Sequence, residues 1–156
     1  MRIGVIGGED GSDEALRLAF EVGQALALRG HTLICGGRGG VMREACRGAK
    51  EAGGLTVAIL PGDDASEAND YVDVPIVTGL GFARNTIIAR TAQALIAVEG
   101  RYGTLSETAF ALITGRPVIG LRTWELRSGT GAEPPLVRVE TAEEAVAACE
   151  EAVARG

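Results

Sequence analysis

Short β-type runs alternate with helical patterns along the whole chain, and this alternation commits it to an α/β fold built on a mainly parallel sheet. Arg2 to Ile6 is the first strand. A helix is predicted from Asp13 to Arg29, with Ala15, Leu18, Ala19, Val22 and Leu26 at helical spacing and Gly30 at its C-terminal end. The strand Thr32 to Cys35 runs into GGRGG and a helix from Val41 to Ala52, which Gly53-Gly54 ends. Leu55 to Leu60 is the next strand, followed by the exposed loop PGDDASEAND and a short extended piece, Val72 to Val77. GLGFARN then opens a helix to Thr91, and Ala94 to Val98 is a further strand leading into EGRYGTLSE. A helix after Thr104 ends near Gly115, Pro117 to Leu121 and Leu136 to Val139 are strands, and Thr141 to Ala154 is a closing amphipathic helix. Residues 122–135, RTWELRSGTGAEPP, are too polar and too rich in Gly and Pro for regular structure; they read as a mobile flap or a partner-contact loop.

The expected architecture is one Rossmann-like, doubly wound domain over residues 1–156, with helices on both faces of the sheet. A chain of 156 residues with 46% hydrophobic content can bury one good core and leaves little for a second domain. No apolar run approaches the roughly 20 residues of a membrane helix, and the start has no signal-peptide layout. A soluble cytoplasmic protein without membrane contact is the expectation. Cys35, Cys46 and Cys149 have no CxxC spacing, which suits small, buried, reduced thiols rather than a disulfide frame or a metal site. The net charge of −6 argues against a nucleic-acid partner. Lys50 is the only lysine and falls on the far part of a surface helix, which leaves little room for Schiff-base chemistry. His31 is the only histidine and reads as a solvated turn residue, so histidine-based catalysis and a histidine metal site both lack material.

In open parallel sheets ligands bind beyond the carboxyl ends of the strands, where helix N-termini aim free N–H groups at an anion. Three glycine-bearing turns occupy that position. GGEDGS follows the first strand with Gly7 and Gly8; GGRGGVM contains Gly36, Gly37, Arg38, Gly39 and Gly40; EGRYGT contains Glu99, Gly100, Arg101, Tyr102, Gly103 and Thr104. With GLGFARN they predict a pocket for a phosphorylated ligand. The GxGxxG dinucleotide fingerprint is absent, and so is GxxxxGK[ST], which removes ordinary NAD and P-loop chemistry.

Thr104-Leu105-Ser106-Glu107 is a literal T-x-x-E capping box, and the pattern recurs at Thr141-Ala142-Glu143-Glu144. The expectation is that Glu107 caps its helix while its carboxylate also faces a ligand.

These motifs resemble those of the LOG family, the "lysine decarboxylase-like" proteins whose characterised members are phosphoribohydrolases. GGRGGVM is similar to the family's GGGxxGxM turn and EGRYGTLSE to its PGGxGTxxE turn, and the resemblance covers residues 2–121. VPIVTGLGFARN and YGTLSE look closer still to the subgroup related to molybdenum-cofactor carrier proteins. The resemblance implies catalysis by Arg84 and Glu107 in a hydrolase, with no cofactor required. It also implies phosphate binding at Gly36, Gly37, Gly39, Gly40, Gly103 and Thr104. The chemistry is sound: cleaving an N-glycosidic bond builds positive charge on the ribose, which a carboxylate steadies while an arginine holds phosphate. The carrier subgroup instead implies a bound molybdopterin-type cofactor or nucleotide, with hydrolysis uncertain.

Two positions depart from the hydrolase pattern. Arg84-Asn85 stands for Arg-Lys, and Glu99-Gly100-Arg101 stands for Pro-Gly-Gly, which places a carboxylate at a turn that should face an anion. Two charges about 4 Å apart interact by roughly 4 kcal/mol at a surface-like dielectric, offset only if Arg101 turns inward. Glu99 is therefore a candidate reader of the N–H edge of a guanine or pterin, or a strand-end glutamate facing water. Arg38 either covers a phosphate or faces solvent, Tyr102 stacks on a base or packs beside its own turn, and Met42 reads as core. The leading expectation is a binder or carrier of a phosphorylated nucleotide or pterin-type ligand; the alternative is a nucleoside 5′-monophosphate phosphoribohydrolase. The family assembles through its helices, and Ile87, Ile88 and the helix from Leu105 to Ile113 supply apolar surface for a homodimer or homotetramer.

Overall fold

A computed structural model describes residues 1–156. The strands are β1 (Arg2–Gly7), β2 (Thr32–Cys35), β3 (Thr56–Leu60), β4 (Val74–Val77), β5 (Ala94–Val98), β6 (Val118–Leu121) and β7 (Leu136–Arg138). The helices are α1 (Asp13–Leu28), α2 (Gly40–Glu51), α3 (Asn85–Thr91), α4 (Tyr102–Ile113) and α5 (Ala142–Arg155). The strands form one sheet in the order β4-β3-β2-β1-β5-β6-β7, and every pairing is parallel.

Side chains alternate across each strand, so successive residues feed two cores. Ile3, Val5, Leu33, Ile96 and Val98 point to one face, where α1, α2 and α5 cover them with Leu18, Val22, Leu26, Ala45 and Val146. Ile6, Ile34, Ile59 and Leu95 point to the other, under α3 and α4 with Ile88, Ala89 and Ala111. Each fully buried Leu or Ile contributes about 1.5–3 kcal/mol. α1 and α2 approach so closely that glycine is obligatory at their crossing. A Cβ on Gly23 would strike the Ala45 carbonyl, and one on Gly48 would strike that of Phe20.

Several boundaries differ from the sequence expectation, each for a local reason. α3 begins only at Asn85, because Gly81–Arg84 forms a 3₁₀ turn. α4 begins at Tyr102, two residues before the anticipated cap, with Arg101 at its N-cap and no side-chain cap. Thr104-x-x-Glu107 is therefore not a capping box: Thr104 already lies inside the first turn, and Glu107 points into the protein. The second copy of the pattern is a true box, in which Thr141 and Glu144 bond reciprocally at the start of α5. His31 is not a solvated turn residue either. Its ring is largely buried, with Nε2 2.8 Å from Glu150 Oε1 and Nδ1 3.3 Å from the Met1 amino group. All three cysteines are free and buried, and burial pushes the Cys149 thiol up to about 12.

The order of the strands places the site. β1 is bonded to β2 on one side and β5 on the other, with Gly7 level with Val98 at the carboxyl ends. The helix after β1 packs on one face and the helix after β5 on the other, so the two connections diverge and leave a crevice between them.

Candidate functional site

A cavity of about 240 Å³ lies in that crevice. Gly7, Gly8, Glu9 and Asp10 of the turn after β1 form one wall, and Arg101, Gly103, Thr104 and Glu107 of the turn and helix after β5 form another. Phe82, Arg84 and Asn85 close it from the start of α3, and Met42 from α2. A second cavity of about 380 Å³ adjoins it, sharing Gly8, Asp10 and Arg101 and adding Gly11, Ser12, Glu99 and Gly100.

Arg84 and Glu107 make the floor, with only 9% and 6% of their surfaces exposed. Arg84 Nη1 stands 3.9 Å from Glu107 Oε1, a charge contact too long for a hydrogen bond. Burial pulls the guanidinium below its ordinary value, and Glu107 opposes the shift. Burial also raises the Glu107 carboxyl to about 8, and Arg84 is the weaker, opposing influence. Arg84 Nε is buried with no hydrogen-bond partner. A charged donor left in that state costs about 1–3 kcal/mol or more, and an anionic ligand would relieve part of that cost at the same guanidinium. The guanidinium rests on Gly36, where a Cβ would collide with Nη1. Gly36 is thus the seat of Arg84 rather than a lining residue.

The start of α4 supplies a second anion-binding element. Its first intrahelical bond runs from Leu105 N–H to Arg101 O, so the amides of Tyr102, Gly103 and Thr104 have no carbonyl within the helix to meet. No side chain caps them, and Gly103 and Thr104 line the cavity. Asn85 holds this end against α3 by donating to Ser106 Oγ at 2.9 Å, and Ser106 donates to Gly103 O at 2.7 Å.

The start of α1 is capped, and that of α2 is bonded at one amide and closed in by backbone. At α1, Ser12 Oγ accepts from Ala15 N–H, Glu99 Oε2 accepts from Ser12 N–H at 2.9 Å, and Asp13 and Glu14 fill the first turn. At α2, Val41 N–H donates to Gly8 O, and Gly40 packs against the backbone of Gly8 and Glu9. The crevice therefore brings together Gly7, Gly8, Arg84, Arg101, Gly103, Thr104 and Glu107, with Glu99 and Gly100 in the adjoining cavity. Gly36, Gly37, Arg38, Gly39 and Gly40 do not line it: Gly36 lies under Arg84 and Gly40 behind Gly8 and Glu9. Arg38 pairs with Glu9 at 3.1 Å and Glu67 at 3.3 Å. Arg101 pairs with Asp10 at 2.7 Å. Tyr102 is 80% exposed and stacks on Trp124, whose Nε1–H donates to Arg101 O at 3.2 Å.

Glu9, Asp10, Phe82, Asn85 and Met42 line the cavity without having been singled out as ligand contacts from the sequence. The available signal was position: Glu9-Asp10 sits inside GGEDGS, at the turn that faces the crevice.

The SLOG cluster4 family model matches residues 1–151. The cytokinin riboside 5′-monophosphate phosphoribohydrolase of Mycobacterium tuberculosis is 32% identical over 160 residues, covering 87% of this chain and 86% of its own. The molybdenum cofactor binding protein of Rippkaea orientalis superposes with a TM-score of 0.88 at 38% identity, over 96% of this chain and 95% of that one. The molybdenum cofactor carrier protein of Chlamydomonas reinhardtii superposes with a TM-score of 0.85 at 39% identity, over 98% of both chains.

Proposed function

The chain belongs to the SLOG cluster4 family, within the LOG superfamily and near its molybdenum-cofactor carriers, and from that premise we propose that it binds and carries a phosphorylated nucleotide or pterin-type ligand. The observation that carries this reading is the buried Arg84 guanidinium. It has an unbonded Nε, and the cavity it lines also takes in the uncapped start of α4. An arginine fork and helix-terminal amides together suit a phosphate group. None of the twelve lining residues is a cysteine or histidine. A molybdenum-bearing pterin carried here as cargo is therefore held through its phosphate and ring system and keeps its own ligands to the metal. The two adjoining cavities give such a ligand separate places for phosphate and heterocycle. Mass spectrometry of the small molecules released from the purified protein tests the reading: a phosphorylated pterin or nucleotide in near-stoichiometric amount supports it, and a protein that binds no phosphorylated ligand overturns it.

Glu107 favours a second reading, hydrolysis of nucleoside 5′-monophosphates to free base and ribose 5-phosphate. A carboxyl raised to about 8 still holds its proton at neutral pH, so it can donate to a departing base, and once ionised it can steady a ribosyl cation. Incubation with AMP, GMP and CMP separates the two readings. Turnover abolished in Glu107→Ala establishes the hydrolase; tight binding without turnover favours the carrier.

The expected protein partner is a second copy of the chain. Leu80, Phe82 and Ile113 are exposed on the α3–α4 side of the sheet, which supports association there. Light scattering at micromolar concentration reads a dimer or tetramer if this holds, and a monomer if it does not.

A further inference from the structure

Cys35 and Cys46 do not line the crevice, yet their sulfurs are in contact. Sγ of Cys35, the last residue of β2, stands 3.5 Å from Sγ of Cys46, in the middle of α2. Both side chains are fully buried, and Cys35 Sγ also accepts from the Gly37 amide at 3.3 Å. A disulfide holds its sulfurs about 2.05 Å apart, so bonding asks the pair to close by only about 1.5 Å. The hydrogen bond within the pair holds the Cys46 thiol below its ordinary value and pushes that of Cys35 well above it. The thiolate is the nucleophilic form, so Cys46 is the attacking sulfur.

The pair is one residue away from the seat of Arg84. Successive residues at the end of β2 face opposite ways: the Cys35 thiol turns toward α2, and the place of the missing Gly36 side chain is taken by the Arg84 guanidinium. α2 is locked to α1 through the backbone contacts of Gly23 and Gly48. An adjustment between the two sulfurs therefore falls on the end of β2 and the glycine turn after it. Met42, one helical turn before Cys46, lines the cavity.

We infer that Cys35 and Cys46 are a covalent modification site, which a hydroperoxide oxidises to a disulfide that draws the end of β2 toward α2 and unseats Arg84. Hydrogen peroxide is small enough to approach from the cavity past Met42. The Cys46 thiolate attacks one peroxide oxygen, the O–O bond breaks and hydroxide leaves, giving a sulfenic acid. The Cys35 sulfur then attacks the Cys46 sulfur, the S–O bond breaks, and the Cys35 proton leaves with the hydroxyl as water. The first hydroxide takes up the proton that Cys46 had released, so two thiols and one peroxide become one disulfide and two waters. A dithiol reductant reverses the bond by exchange. With Cys35 Sγ engaged, the Gly37 amide loses its sulfur acceptor, and the withdrawal of Gly36 removes the support that sets the guanidinium. The bond stands independently of the phosphate-binding reading above; its effect on affinity rests on that reading.

Hydrogen peroxide in slight excess over the reduced protein, followed by non-reducing peptide mapping, tests the site. A peptide pair joined through Cys35 and Cys46 is expected, with Cys149 unlinked, and dithiothreitol is expected to separate it. In the linked form, amide hydrogen exchange across residues 36–40 is expected to quicken at least about tenfold and GMP affinity to fall at least about tenfold. Cys46→Ala, a small change that suits a helix, is expected to lose the linked peptide and to keep its GMP affinity after peroxide; Cys35→Ala serves if that variant melts early. Folded protein that does not react, or that gives a sulfinic acid without linkage, overturns the site. Linked protein with unchanged exchange over residues 36–40, or with unchanged GMP affinity, overturns the unseating of Arg84. Linkage and quickened exchange in a protein that binds neither GMP nor inorganic phosphate in either form overturn the phosphate reading and leave the disulfide site standing.

Discussion

The Arg84 guanidinium occupies the space a side chain on Gly36 would need, so the end of β2 and the start of α3 are fitted to each other through one missing methyl group. This contact sets where the positive charge on the cavity floor stands. Gly36→Ala is expected to push the guanidinium off its seat. Overpacking of this kind costs about 1–3 kcal/mol. GMP affinity is expected to fall at least about tenfold. Calorimetric titration beside a urea melt checks both; unchanged affinity would show that the position of Arg84 does not govern binding.

Burial raises Glu107 from an ordinary 4.5 to about 8. Between those values the folded protein keeps a proton that the unfolded chain has released. The native state therefore binds more protons, and the stability this group contributes declines as pH rises through the window. Glu107→Gln has no such proton to lose. Its stability relative to wild type is expected to improve from pH 5 to pH 9 by on the order of 4 kcal/mol. Thermal melts of both proteins across that range measure it, and a constant difference would mean that the carboxyl titrates normally.

Trp124 is the only tryptophan, and its indole N–H is bonded to the Arg101 carbonyl. Arg101 lines both cavities and its side chain is tied to Asp10. A ligand that draws Arg101 inward is expected to shift Trp124 emission saturably. In Arg101→Ala the shift is lost or much reduced. Fluorescence titration with GMP reads both outcomes.

Gly48 faces the Phe20 carbonyl across the α1–α2 crossing. Gly48→Leu, which adds a strong helix former at a mid-helix site, would stabilise an isolated helix by about 1 kcal/mol. In this protein it is expected to destabilise by about 3 kcal/mol or more, because two backbones must separate. A urea melt gives the sign directly.

The elements were legible because their periodicities differ: the apolar runs at Ile3, Leu33 and Leu95 are short and continuous, whereas Leu18, Val22 and Leu26 fall on one helical face. Element ends were less so. T-x-x-E fits Thr104 and Thr141 equally, and only the Thr141 copy stands ahead of its helix rather than inside it. At the site, turn positions and Arg84 could be read from local pattern. The seat of Arg84 on Gly36 and the pairs Glu9–Arg38 and Asp10–Arg101 join residues far apart in the chain. No local spacing encodes such contacts. Glu99 shows the same limit: its carboxylate, expected to face a ligand or water, is bonded to the amide of Ser12.

β1 leaves the ribosome well before β5, yet Ile3 lies opposite Ala94 on one of its two edges. Half the crevice therefore does not exist until β5 has been synthesised. Long-range parallel pairing of this kind is slow to form, and a nascent chain ending before β5 exposes an unpaired edge in the middle of its future sheet. Assembly of the crevice thus waits on β5, and a ligand captured there would join the early and late parts of the polypeptide.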